Sequence, residues 1–188
     1  MAVFTSDFPG ADLDSLDTVA GWTTDPASTT NLYVDGANNL SRTSGNVVGY
    51  HDHASADHYA QAHMIVLSYR LAVRVTNKDN CVMGEVGATS AAIYKRVAGV
   101  ETNIAFVGSL SNSPGVYRLE AEGSDFSLYA DGNPTAILTV SDSDNATAVG
   151  VGVSARGGGA NDPWLDSWES GELGGGGNPW YYYAQQAG

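Results

Sequence analysis

The stretch VYRLEAEGSDFSLYADG, residues 116 to 132, restricts the fold more than any other part of the chain. Tyr117, Leu119 and Ala121 alternate with Arg118, Glu120 and Glu122, the period of a strand with one buried and one wet face. Gly123-Ser124-Asp125 supplies a turn, and Phe126, Leu128 and Ala130 then share a face on the way back. DGNP, residues 131 to 134, is a second tight turn, because Gly and Asn tolerate the backbone angles it needs. A helix cannot be built on this pattern, since its apolar stripe would repeat at 3.6 rather than 2.

The same grammar extends along the chain. TAILTV and AVGVGVSA follow, parted by the polar SDSDN, and WLDSWESGEL reads as the last core strand. Before them stand NLYVDGANNLSRT, VVGYH, HYAQAHMIVLSYRLAVRV, NCVMGEV, SAAIYKRVAG and TNIAFVGSL. Only ADLDSLDTVA suits a turn or two of helix. Ten or more short strands joined by turns predict an all-β fold, a two-sheet antiparallel sandwich of jelly-roll type. At 188 residues the chain is one domain's worth, so we assign residues 1 to 173 to the sandwich. Gly174 to Gly177 then form a linker, and residues 178 to 188 a short C-terminal tail.

Charge narrows the partners. With 21 acidic against 8 basic residues the net charge is −13, which repels phosphate backbones and anionic membranes. Cys81 is the single cysteine, so neither an internal disulfide nor a cysteine-based zinc site is expected. Residues 1 to 25 lack the basic and apolar regions of a secretory signal. The longest apolar run, Met64 to Leu67, is too short for a membrane span. Synthesis in a cytoplasm is the expectation.

The order of pieces resembles the concanavalin A-like lectin/glucanase superfamily, including its laminin-G-like modules. Asp7-Phe8, Leu16 and Gly21-Trp22 stand in the opening order of such domains. The YRLEAEGSDFSLYADG hairpin, the glycine-alternating AVGVGVSARGGG and the closing WLDSWESGEL follow as they do there. The resemblance implies two antiparallel sheets with one curved face. It hosts lectins, glycosidases and structural modules alike, so function must be argued from a site.

Glycoside hydrolysis needs two carboxylates ~5–10 Å apart. Glucanases of the resembled superfamily carry theirs on one strand as Glu-x-Asp-x-x-Glu, and Asp166-Ser-Trp-Glu169 is the nearest match. A period of two sends these acids to opposite faces, and neither Glu120 nor Glu122 has an Asp at the required step. With no serine elbow, phosphate loop or HExxH motif either, the sequence does not predict an enzyme.

All four histidines, His51, His53, His58 and His63, fall within HDHASADHYAQAH. On one strand from 58 to 67, His58 and His63 would face opposite ways, so the group reads as a polar loop-and-edge cluster. A transition-metal site is the alternative. Calcium suits the many oxygen ligands better, and the resemblance implies Asp7 and Asp166 as a structural calcium site. Asp142, Asp144 and Asn145 form another acidic loop. No other cofactor is expected. For a glycan, Trp22, Tyr94, Arg96 and Trp164 are wall or loop candidates, with core or plain surface as the competing reading.

The tail carries the densest aromatic run. Behind four flexible glycines, Pro179, Trp180, Tyr181, Tyr182 and Tyr183 have the make-up of an interface anchor, or of a flap closing its own sandwich. A lectin-like domain without an export signal fits a virion, whose proteins assemble in the cytoplasm. NPWYYYAQQ also resembles the C-termini of small tailed-bacteriophage structural proteins. The expectation is a virion surface protein, a capsid decoration or tail/fibre component. It would be anchored on a major capsid or tail protein, adhere to cell-surface glycans, and form a homo-oligomer in some settings. A free carbohydrate-binding module is the alternative, and a divergent glycoside hydrolase using Asp166 and Glu169 the third reading.

Overall fold

The computed structural model describes residues 3–9, 12–16, 19–26, 32–35, 37, 40–42, 47–67, 69–130, 133–155 and 165–173. Among these, the first strands are β1 (Val3–Ser6), β2 (Asp12–Ser15), β3 (Thr23–Thr24), β4 (Leu32–Asp35), β5 (Leu40–Arg42) and β6 (Val47–Asp52). Next come β7 (His58–Met64), β8 (Arg70–Asn77), β9 (Asn80–Gly87), β10 (Ser90–Val97) and β11 (Val100–Gly108). The chain closes with β12 (Gly115–Glu122), β13 (Asp125–Ala130), β14 (Leu138–Ser141), β15 (Gly150–Ala155) and β16 (Leu165–Glu172).

They form two antiparallel sheets, as the alternation predicts. One runs β14-β13-β12-β7-β16-β5-β4-β2, with β1 also paired to β16; the other runs β11-β10-β9-β8-β15-β6-β3. Two sequence expectations need correcting. The run from His58 to Val75 is not one strand, because β7 ends at Met64 in the first sheet and β8 begins at Arg70 in the second. The first half of the segment expected to turn as a helix gives β2, whose pairing with β4 overrides weak local propensity, and a turn begins only at Leu16, whose carbonyl accepts the Val19 N–H at 2.9 Å.

Between the sheets the inward residues of each strand form one core. Ala60, Ala62 and Met64 of β7, Tyr117, Leu119 and Ala121 of β12, and Leu71 and Val73 of β8 are all buried there. Trp22 stacks near Phe4, Phe8 and Trp168, with ring centroids 5.2–5.9 Å apart. Gly152 lets β15 and β6 approach: a Cβ there would lie 1.9 Å from the Gly49 carbonyl oxygen.

Three histidines lie inside this sandwich, contrary to the loop-and-edge expectation. His51, His53 and His58 are 8%, 9% and 0% exposed. Their polarity is met internally: Ser170 Oγ sits 2.6 Å from His51 Nε2 and 3.2 Å from His53 Nε2. His58 Nδ1 bonds the Ser55 carbonyl at 3.0 Å, while its Nε2 accepts the Arg74 N–H at 3.1 Å. These partners require a neutral His58 ring protonated at Nδ1. Burial lowers all three, His51 and His58 to about 4. Among the described residues, no group of three or more His, Cys, Asp or Glu is placed to hold a metal ion.

Two predictions follow from this interior. Unfolded imidazoles titrate near pH ~6.5, so the unfolded chain binds more protons than the folded one between that pH and about 4. Stability complete above the upper value is therefore lost as pH falls through this window, by ~3 kcal/mol for each of His51 and His58. Thermal melts from pH 7.5 to 4 should show it, with a smaller slope in His51→Gln; a flat profile would contradict the neutral-histidine core. Gly152→Ala should cost about 3 kcal/mol or more in urea unfolding, because backbone rather than a flexible side chain blocks the new methyl.

Candidate functional site

On β7, β12 and β16 the residues that do not enter the core line the outer face of the nine-stranded sheet. The register sets Thr5, Glu169, Gln61, Arg118 and Tyr129 in one row across β1, β16, β7, β12 and β13. Ser167, His63 and Val116 form the next row. A depression of about 190 Å³ sits over these two rows, bounded also by Asp7.

The placement of Asp166 departs from the sequence expectation. Leu165 pairs with Met64 and Ser167 with His63, leaving Asp166 as the extra residue of a β-bulge. Asp166 Oδ2 lies 2.9 Å from His63 Nδ1. Tyr59 Oη donates to Glu169 Oε1 at 2.5 Å. Since His63 and Tyr59 share the outward parity of β7, Asp166 and Glu169 engage the same face of the sheet. The bulge cancels the period-two argument that set them apart, and with it that argument against hydrolysis.

A buried polar network supports the depression. The Arg118 guanidinium lies 3.4 Å from the Tyr59 ring centroid, and its Nε donates to Glu120 Oε1 at 2.6 Å. Burial and the Glu169 carboxylate push the Tyr59 phenol well above its usual range. Burial, with Glu120 beside it, raises Tyr129 too. Gln61 is only 3% exposed, and its Oε1 has no hydrogen-bond partner within the described structure. A buried amide oxygen left unpaired costs about 1–3 kcal/mol, a penalty usually removed by water or ligand.

The other sequence candidates are dispersed. Asp7 borders the depression, but Asp166 is taken by His63, so the pair does not amount to the six to eight oxygens calcium requires. Asp142 and Asp144 both accept from Lys95 Nζ at 2.6 Å, which pins their loop to β10; Asn145 follows at a positive φ of 59°. Trp22 is core, not wall. Tyr94 and Arg96 lie on the outer face of the opposite sheet. There Arg70 rests 4.3 Å from the Tyr94 ring centroid and bonds Glu85 and Glu101, and Arg96 shares Glu101. Burial opposes the ionised form of Glu101, yet the two guanidiniums hold its carboxyl below the usual range. The Arg70–Glu101 bond reaches over β9 and β10, so the long polar side chains of this outer face are engaged with one another. Cys81 is buried, which pushes its thiol up to about 12 and leaves it inert. Trp164, Pro179, Trp180, Tyr181, Tyr182 and Tyr183 lie outside the described residues.

Sequence reasoning missed Gln61, Ser167 and Thr5. A period of two in HYAQAHM gives Gln61 and His63 one face, but nothing in it shows that β16 and β1 flank them.

No protein-family model matches the chain, and no curated protein sequence does. Solved structures do share its fold. The carbohydrate binding module CBM66 from Bacillus subtilis superposes with a TM-score of 0.56 at 18% identity, covering 81% of this chain and 92% of that one. The exoplasmic/lumenal domain of VIP36, in a form bound to Ca2+ and Man3GlcNAc, gives 0.57 at 10% identity, covering 90% and 91%. The GH43 protein BlXynB from Bacillus licheniformis gives 0.56 at 11% identity over 90% of this chain and 39% of its own. At such identities the likeness establishes the concanavalin A-like fold, which lectins, binding modules and hydrolases share.

Tyr59→Phe keeps the ring against Arg118 but removes the donor to Glu169. Urea unfolding should show a loss of about 2 kcal/mol; a change below ~0.5 kcal/mol would mean the bond contributes nothing beyond ordinary surface contacts.

Proposed function

We propose that this protein is a carbohydrate-binding module whose saccharide sits in the depression formed by β1, β16 and β7. One observation carries the reading: a hollow lined by the polar side chains of Thr5, Asp7, Gln61, His63, Ser167 and Glu169, in which the buried Gln61 has an amide oxygen without a hydrogen-bond partner among the described residues. Sugar hydroxyls are donors that such a set of acceptors can use, and the apolar edge of Val116 suits the face of a sugar ring. About 190 Å³ is the volume of roughly six waters, which suits one sugar unit with its neighbours running out along the sheet. The carbohydrate-binding relatives in fold support the class of ligand, not its identity.

A hydrolytic reading is favoured by the shared face of Asp166 and Glu169. It predicts release of reducing sugar that Glu169→Gln abolishes. A role on a virion surface, in a capsid decoration or tail/fibre position, is favoured by the Trp180–Tyr183 cluster behind its glycine linker. In that setting the tail would grip a major capsid or tail protein, and deletion of residues 174 to 188 should remove the protein from purified particles. Normal occupancy by the truncated chain would refute the anchor.

The binding reading is tested by a glycan array with the full chain, followed by calorimetry on the best ligand. Gln61→Ala and Thr5→Val should each weaken binding about tenfold, the effect of ~1.4 kcal/mol. Binding unaffected by both, or abolished only by Tyr94→Ala, would move the site to the outer face of the seven-stranded sheet.

A further inference from the structure

We infer that β11 is the docking edge for a second copy of this chain, which joins it as a two-fold antiparallel dimer and makes one sheet of the two seven-stranded ones. A strand at a sheet edge offers backbone N–H and C=O groups as a template, and folded proteins keep such strands short or interrupt them with Lys or Pro. Among the described residues, the other strands paired on one side only are short: β1, β2 and β14 have four residues each and β3 has two. β11 has nine, the longest strand described, and pairs with β10 alone. It contains no Lys, Arg or Pro. Ile104, Ala105 and Val107 pack on the core and hold the strand in place, while Val100 and Phe106 stand 68% and 63% exposed.

Charge identifies the occupant. Two copies at −13 each repel, so a self-contact must fall where the surface carries no net charge. No charged residue occurs from Thr102 to Tyr117, and Glu101, the single charge on β11, is held by Arg70 and Arg96. A basic partner would find no open carboxylate on this strand, and an acidic partner no cation. The register follows from the faces. Glu101, Asn103 and Phe106 pair with Arg96, Tyr94 and Ala92 on the outer side, Thr102, Ala105 and Val107 take the inner side, and Ile104 is the extra residue of a bulge. An axis through Asn103 keeps both faces matched. Asn103 then meets its own copy, Phe106 the partner's Glu101, and Val100 the partner's Val107. This pairing uses one edge of each copy and leaves only short ones, so it closes at two chains.

Analytical ultracentrifugation of the full chain should show a concentration-dependent dimer of twice 19.6 kDa. Its affinity should rise in high salt, where repulsion between the acidic copies is screened. Phe106→Glu and Asn103→Glu replace exposed residues, set like charges in the seam, and should each weaken the dimer at least tenfold with an unchanged circular dichroism spectrum. Val66→Glu, the same charge change at an exposed valine between β7 and β8, should leave it intact. Asn103→Cys should form a disulfide-linked dimer in air, because facing Cα atoms in an antiparallel ladder lie ~4.5–5.5 Å apart, within disulfide reach. The native Cys81 is buried and does not compete. A monomer at every concentration, or particles larger than two chains, would overturn the inference, as would an affinity that falls with salt. Equal weakening by Val66→Glu would overturn it in favour of bulk charge. A dimer that survives both seam glutamates and leaves Asn103→Cys uncoupled would place the contact elsewhere and overturn it as well. The hollow lies on the other sheet, so the dimer stands or falls separately from the sugar site.

Discussion

The pairing of β16 with β7 is the contact on which the rest of the molecule depends. It joins the last described strand to the middle of the nine-stranded sheet, and on its far side β16 takes β1 from Trp168 onward and β5 at Leu165. The change of neighbour falls at the Asp166 bulge. Before it, Leu165 points into the core; after it, Trp168 and Ser170 do, although the spacing is odd. Without the extra residue the strand would present Trp168 to solvent and Glu169 to the core, reversing both faces.

Both surfaces of that strand are consequently committed. Inward, Trp168 meets Trp22, and Ser170 meets His51 and His53, so the bulge fixes the register of the buried histidines too. Outward, Ser167 and Glu169 complete a hollow whose other wall is β7. A cluster that must stay neutral and a surface rich in carboxylates lie on opposite sides of one sheet. Acid reaches the first of these by charging the buried imidazoles, at a cost in stability.

Much of the fold was legible because it follows from one periodicity. The strands β12 and β13 and their turn stand where Tyr117–Ala121 and Phe126–Ala130 placed them, and the closing strand is where WLDSWESGEL put it. The site was less legible, for two physical reasons. Period two holds only in an unbroken ladder, and a bulge at Asp166 leaves no mark in the residue types around it. Burial of histidine also depends on distant partners: Ser170 is 119 residues from His51, and no local pattern shows that its hydroxyl will satisfy the ring. Trp22 and Tyr94 were equally ambiguous, since an aromatic residue on a strand suits a core and a sugar platform alike, and pairing alone sends one inward and the other out.

The proposed sugar site puts Gln61 beside the ligand in the hollow next to β16. The Gln61 side-chain amide resonance, followed by NMR during titration with the best-binding saccharide, measures that contact directly. The Gln61 amide should shift most, together with the backbone amides of Thr5 and Ser167, while Tyr94 and its neighbours stay fixed. Shifts centred on Tyr94, Arg70 and Arg96 with a silent Gln61 would contradict that site.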